Sequence, residues 1–495
     1  SVMALFKYQE NLKNQDTRME ALNDIKQQLT SARGSDIAEY ANSIKIPLLF
    51  ECLENDENEE QVDLACDILT ICMDNLTLGE TLTRYPDALE KSLSHKHDIV
   101  RQMSLKEILR AAEINTNYFH DMSRRNLVAK IVDCVGHNNL SVAHVAVNIL
   151  CLILMPWLTN SQILSSLQNV MSRGEIQRFR VYEILTQLAI KSKENFNKIE
   201  KTSLLSKLLS ELELQDELVQ LNVIELLTQL ALSDQGFNYL ESKGVFNHFA
   251  LQVENLDKSS LSPLILPGLL KFFGRIAHAR PSAMLTQYKN ILLRIFDIVL
   301  NSYDETLLLV SLDTIGYLGA TKEGKLALNN NNDSMTRFLR KLGTYIQNGS
   351  TEIRLRSLDC LKHLVEIDPS DTTNEIQTIT ENWFNLLCEK PVDFIFGICR
   401  KPFPDVKLAA LSILKAIACQ LWGADLIVNN PGIIEYLLDR RTETFKEGKQ
   451  AKFDIIFALN QIPDLDLDLR QRLQLYIAEG PFYVEALTEI AIEGE

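Results

Sequence analysis

Two stretches, EIQRFRVYEILTQLA at residues 175–189 and ELVQLNVIELLTQLA at 217–231, decide the fold, because they write one pattern twice, 42 residues apart. In each, apolar residues recur at three- and four-residue spacing, the period of one buried face of an α-helix. The same pattern returns in QVDLACDILTICM from 61, DIVRQMSLKEILRAA from 98, LSVAHVAVNILCLIL from 140 and LILPGLLKFFGRIA from 264. It continues in ETLLLVSLDTIGYLGA from 305, EIRLRSLDCLKHLV from 352 and DVKLAALSILKAIA from 405. Aligned on one core position, the set gives Leu69, Ile108, Leu150, Leu185, Leu227, Phe272, Ile315, Leu361 and Leu414. Steps run from roughly 35 to 53 residues, most of them near 40 to 46, the period of armadillo and HEAT units.

Between these helices lie further helical patterns that end in Gly or in Asn and Asp clusters, such as NNPGIIEYLLDR from 429. SDQGFNYLESKGVFNHFALQV (233–253) reads as a short helix with Gly-Phe, a Gly-Val turn and a second helix, as in armadillo repeats. Units of two or three helices cannot bury their faces alone and must stack on neighbours. The expected fold is all-α, an armadillo/HEAT-like α-solenoid. The expected division is capping helices over 1–55, repeats over 56–425 and capping helices over 426–495, in one continuous array. ENDENEEQ (54–61), NNNND (329–333), DPSDTTNE (368–375) and RRTETFKEGKQ (440–450) read as surface turns. After Pro463, the alternation Leu465, Leu467, Leu469 reads as a loop entering a final helix.

Composition agrees. In 495 residues, 19 Gly and 13 Pro leave too little turn chemistry for many short strands, while 46% hydrophobic residues can fill a large core. Fifty Lys plus Arg against 66 Asp plus Glu give a net charge of -16, the wrong sign for neutralising phosphates, so nucleic acid and anionic lipid are not expected partners. Charges at Lys7, Glu10, Lys13, Asp16 and Arg18 interrupt the opening where a secretion signal needs an apolar core, and Ser1 and Val2 ahead of Met3 read as a cloning remnant. The apolar run from Ile149 to Leu158 contains Pro156 and is too short for a bilayer, which needs about 20 residues. Nine cysteines, without a C-x-x-C, read as reduced core residues of a cytoplasmic or nuclear protein.

No motif for catalysis emerges. His95-x-His97 with Asp98 is the densest potential ligand group, but it precedes a helix, Asp98 reads as its N-cap, and both histidines are expected to face solvent. There is no G-x-x-x-x-G-K-[ST], G-x-G-x-x-G or G-x-S-x-G; Glu-Gly-Lys at 323 and 447 reads as helix punctuation. No cofactor, metal or enzymatic activity is expected.

More informative are the residues two before and two after each aligned core position, which share a helix face opposite the apolar one. They are Asp67/Ile71, Lys106/Arg110, Asn148/Leu152, Glu183/Gln187, Glu225/Gln229, Leu270/Gly274, Asp313/Tyr317, Asp359/His363 and Ser412/Ala416. In armadillo repeats such positions line the concave groove. Glu183, Gln187, Glu225, Gln229, Asp313, Tyr317, Asp359 and His363 are therefore the candidate partner-binding residues, an acidic and amide-rich row suited to a basic or mixed-polar partner and broken only at Leu270 and Gly274. Phe272 and Phe273 are expected in the core.

Certain words in the chain are distinctive. SPLILPGLLKFFGRIA (262–277), LLVSLDTIGYLGATKEGKLAL (308–328), KPFPDVKLAALSILKAIACQLWGADLIVNNPGIIEYLLDRR (401–441) and YIAEGPFYV (476–484) resemble the proteasome non-ATPase regulatory subunit 5 family, in the same order. The resemblance runs along essentially the whole chain and is strongest from about Leu261 onward. It implies an assembly chaperone of the 19S regulatory particle base that is absent from the finished 26S proteasome. Such chaperones grip the C-terminal domain of a proteasomal AAA ATPase subunit, hold a base precursor with its scaffold subunits, and hinder premature docking on the 20S core. The chain is expected to be a monomer by itself. The alternative is an armadillo-type nuclear transport adaptor or a general protein-interaction scaffold. An adaptor needs a regular Trp and Asn row, whereas Trp157, Trp383 and Trp422 lie off the row.

Overall fold

The structure, a computed structural model, describes residues 2–255 and 264–485. Ser1, the Ser262-Pro263 opening of one distinctive word, and residues 486–495 of the expected C-terminal cap lie outside them. Among the described residues every regular element is helical, with 31 α-helices and short 3-10 turns.

Two compact units make up the chain. In the first, Ser1–Gln215 with Ser233–Gly236, the recurring helices are α1 (Arg18–Ser31), α2 (Glu59–Asp74), α3 (Asp98–Ile114), α4 (Leu140–Ile153) and α5 (Glu175–Ala189), each packed on the next. In the second, Asp216–Leu232 with Phe237–Glu495, they are α6 (Glu217–Ala231), α7 (Ile265–Ala279), α8 (Glu305–Gly319), α9 (Thr351–Val365), α10 (Pro404–Ala418) and α11 (Lys446–Leu459). These again pack each on the next. Other helices, such as Asn332–Asn348 on α9, form a second layer. Each unit is thus an armadillo/HEAT-like helical stack. All the aligned core residues from Leu69 to Leu414 are buried, none more than 1% exposed. Burying each aliphatic side chain contributes about 1.5–3 kcal/mol. Phe272 and Phe273 are core residues too, packed edge-on at 5.3 Å.

Short polar side chains start the stacked helices. Asn58, Asn139, Asp216, Asp304 and Ser350 accept from free backbone N–H groups in the first turns of α2, α4, α6, α8 and α9. Helix C-termini have the opposite need, since their last carbonyls lack N–H partners. Basic side chains of the stacked helices meet it. Arg18 donates to the Leu12 carbonyl (2.8 Å), Arg101 to His95 (2.6 Å), Arg180 to Val135 and His137 (2.9 Å each) and Arg354 to Ile346 (2.9 Å). A cation at a helix C-terminus also complements the macrodipole.

The Gly-Val turn forms as expected: helix Asp234–Ser242 ends, Gly244 takes φ +73, and helix Val245–Glu254 begins. That left-handed conformation is cheap only for glycine, and it brings the rings of Phe237 and Phe246 to 4.8 Å. The alternating leucines likewise lead into a helix, Leu467–Glu479, capped by Asp466. Inside the second unit, glycines set how near the stacked helices come. A Cβ at Gly274 would meet Thr314 Oγ1 at 2.6 Å, and one at Gly316 would meet the Cys360 Cα at 3.3 Å. The Thr314 hydroxyl donates to the Leu270 carbonyl (3.3 Å) across that α7–α8 contact.

Two lysines do the capping from inside the second unit. Lys325, 1% exposed, donates to the Gly319 and His363 carbonyls at the ends of α8 and α9. Lys452 donates to the Asp439 carbonyl (2.6 Å) and the Thr442 hydroxyl. Burial pulls the Lys325 ammonium down to about 7 from its ordinary 10.5, against the pull of Glu366, and Lys452 down to about 8 against Glu443 and Asp439. In the unfolded chain both keep the ordinary value, so between pH 7 and 8 the unfolded state binds more protons and stability rises with pH. The second unit should therefore gain about 1 kcal/mol per pH unit across this window. Urea titrations followed by the fluorescence of Trp383 and Trp422, in that unit, measure it, with Trp157 replaced by Phe. The slope should vanish in a K325M/K452M variant.

Candidate functional site

In the first unit, the outward residues of the stacked helices are joined from helix to helix. Lys26 of α1 pairs with Asp67 of α2 (2.7 Å), and Arg110 of α3 with Asp74 of α2 (3.2 Å). The Cys151 thiol of α4 donates to the Gln187 side-chain oxygen of α5 (3.2 Å), and the Gln187 amide donates to Glu183 (3.3 Å). Glu183 is exposed and Gln187 half-buried.

The second unit carries the longer row. Glu225 of α6 lies 3.9 Å from Lys271 of α7, Asp313 of α8 is bonded to Arg356 of α9, and Lys415 of α10 lies 3.5 Å from Asp454 of α11. Gln229 is half-buried one turn beyond Glu225. Three rings cross α7, α8 and α9: Tyr317 has His278 on one side and His363 on the other, both at 5.8 Å between centroids. The His278 ring nitrogen is 3.2 Å from the Tyr317 carbonyl, and His363 sits 3.6 Å from the Asp359 carboxylate. Tyr317 is 39% exposed and Asp359 is exposed, so both are available to a partner. Burial pushes the Asp313 carboxyl up, Arg356 pulls it down, and Asp359 adds to the rise.

The expected break at Leu270 and Gly274 is a shift of one residue. Both are buried, and Lys271, Arg275 and His278 take the outward positions of α7. Adjacent Phe272 and Phe273 made the register ambiguous, and only the Lys-x-x-x-Arg spacing marks the true outer face. Ala416 is likewise buried, with Lys415 outward in its place. In the second unit the row is consequently mixed in sign rather than acidic: Glu225, Asp313, Asp359 and Asp454 alternate with Lys271, Arg275, Arg356 and Lys415.

His95 and His97 are corrected as well. Both are half-buried, because their rings bond the backbone carbonyls of Leu53 (2.8 Å) and Asp56 in the turn after the short helix Ile46–Glu51. Asp98 is the first residue of α3 rather than its cap, and it accepts from the Asn139 amide (3.1 Å) beside His137 (3.3 Å). Among the described residues no three His, Cys, Asp or Glu side chains gather as a metal site, and no single helix is long and apolar enough to cross a membrane. Burial pushes the Cys66 thiol up to about 12 and Cys52 and Cys134 up to about 11. Cys388 and Cys419 are exposed, the latter contrary to its apolar window.

The family described as "Proteasome non-ATPase 26S subunit" matches residues 4–495. The chain belongs to that family. Among its relatives are proteins named "26S proteasome non-ATPase regulatory subunit 5": that of Bos taurus is 32% identical over 96% of both chains, and that of Homo sapiens 31% identical over 96% of both. Among solved structures, the karyopherin Kap121p, bound to the extreme C-terminus of the protein phosphatase Cdc14p, superposes with a TM-score of 0.60 at 12% identity. That match covers 96% of this chain and 54% of the karyopherin. Kap95p superposes at 0.54 and 10% identity, over 94% of this chain and 64% of its own. Likeness at such identities is one of fold, a helical-repeat stack.

The Asp313–Arg356 contact makes a quantitative prediction. Asp313 is mostly shielded from water, so Arg356→Ala leaves a carboxylate without its partner and should destabilise the second unit by about 1–3 kcal/mol. A D313A/R356A double variant should lose less than the sum of the two single changes, by at least about 0.5 kcal/mol, in a urea-unfolding double-mutant cycle.

Proposed function

We propose that this chain is an assembly chaperone of the 19S regulatory particle base, which grips the C-terminal domain of a proteasomal AAA ATPase subunit. While bound, it holds a base precursor with its scaffold subunits and hinders premature docking on the 20S core. The carrying observation is the row across α6–α9, with Glu225, Gln229, Tyr317, Asp359 and His363 offered outward beside Lys271 and Arg356. Alternating signs suit the mixed surface of a folded domain better than a uniformly basic tail, because each misplaced like charge is repelled. Glu183 and Gln187 of the first unit belong to the same reading. Family membership and the names of the relatives supply the proteasome.

The role is one of binding, not catalysis. Each Glu-Gly-Lys word falls in the first turn of a helix, Lys322–Asn329 or α11, and Lys325 is committed to two carbonyls. The adaptor alternative is disfavoured, because its tryptophans would have to face the ligand. Here Trp157, Trp383 and Trp422 are buried; the indole N–H of Trp157 donates to the Phe119 carbonyl (2.8 Å) and that of Trp422 to Gln420 (2.9 Å). The proposed setting is the cytoplasm, with the nucleus as the other compartment where this role operates, and the free chain is a monomer.

Calorimetric titration with the isolated C-terminal domain of each proteasomal ATPase subunit, without nucleotide, tests this. One domain should bind, and ATP should leave the affinity unchanged. A Y317A/D359K variant should weaken it at least tenfold, about 1.4 kcal/mol. Binding of none by the wild-type chain would reject the proposal.

A further inference from the structure

Apart from the row, the first unit holds a cleft of about 350 Å³ between two short helices, Ile46–Glu51 and Pro86–Ser92. Its origin is local. Pro47 and Pro86 each start a helix, where the missing N–H does no harm. Those helices are of 6 and 7 residues, against 12 for Ser161–Ser172 elsewhere in the unit, so the outer layer is left thin.

The cleft is preformed and amphipathic. Phe50, Leu53, Tyr85 and Pro86 give it an apolar floor. Its two sides are joined by the exposed Lys91–Glu54 ion pair (3.1 Å) and by the bond between the His95 ring and the Leu53 carbonyl (2.8 Å). Arg84 at the edge is engaged by Glu80 (3.2 Å) and lies over the Tyr85 ring (5.3 Å). What remains is acidic: Glu51 and Asp87 are exposed, and neither has an ion pair among the described residues.

We infer that this cleft is a peptide-docking site, which takes a large apolar side chain on its floor and an adjacent Lys or Arg of the same segment against Glu51 and Asp87. The volume lies near the lower end of ligand sites, about 300–1,000 Å³, enough for one aromatic side chain and the stem of a basic one. The open mouth lets the partner's backbone run across the surface. Charge complementarity selects the basic neighbour, since an acidic one would meet two carboxylates. The site is independent of the polar row and of the chaperone role.

Fluorescence polarisation with the full chain and labelled hexapeptides tests it. Ala-Ala-Phe-Arg-Ala-Ala should bind at least tenfold more tightly than Ala-Ala-Ala-Arg-Ala-Ala or Ala-Ala-Phe-Glu-Ala-Ala. Ala88→Trp, which fills the mouth, and the double change E51K/D87K should each reduce that affinity at least tenfold. Far-ultraviolet circular dichroism should stay unchanged. The E51K/D87K variant alters only exposed residues and decides the matter if Ala88→Trp fails to fold. Equal binding of the Phe-Arg and Ala-Arg peptides would show only attraction to an acidic chain and would overturn the inference, as would affinity indifferent to E51K/D87K or no binding of the Phe-Arg peptide.

Discussion

The close approach of one stacked helix to the next is the constraint on which the second unit depends. Gly274 against Thr314 and Gly316 against Cys360 leave little room for a side chain at the joint, so α7, α8 and α9 lie nearer than bulky residues would allow. Side chains on the outward rim of that joint are then within bonding distance of the neighbouring helix. The Asp313–Arg356 bond and the His278–Tyr317–His363 ring series follow from packing beneath them. A polar row of this kind is a product of the core, and altering the joint would change the row without touching any of its members.

Much of this was legible in the chain. The period of the helical pattern identified the stack, and every residue aligned as core is buried, because an apolar face repeated at fixed intervals has few places to go except against its neighbour. Residues on the outer face were read correctly at Leu185, Leu227, Ile315 and Leu361, where the residues two before and two after the core position are polar in every case. At Phe272 those flanking residues are Leu270 and Gly274, neither of them polar, so the adjacent Phe273 offers an equally apolar centre on a helix of 3.6 residues per turn. Only the neighbours' geometry chooses between them. That slip hid Lys271 and Arg275, and the acidic appearance of the row was completed by leaving out Arg356, which pairs with Asp313 from the neighbouring helix.

Interactions between distant segments were the least legible. Nothing local to Lys325 announces that its amine joins the ends of two other helices, and nothing local to His95 announces a carbonyl 42 residues earlier. These bonds answer the unmet carbonyls of helix ends, a demand visible only once the ends are placed. The same applies to the cleft of the first unit, which exists because two proline-started helices happen to face each other.

The distribution of thiols gives the molecule a built-in reporter. Six of its nine cysteines are buried, whereas Cys388 and Cys419 are exposed. Thiolate is the reactive form, and exposure governs access to it. Maleimide chemistry on the unaltered, folded chain should thus concentrate on those two positions. Cys419 lies one turn beyond Lys415, at the outward edge of α10, so a dye placed there would sense events on that face without any engineered cysteine.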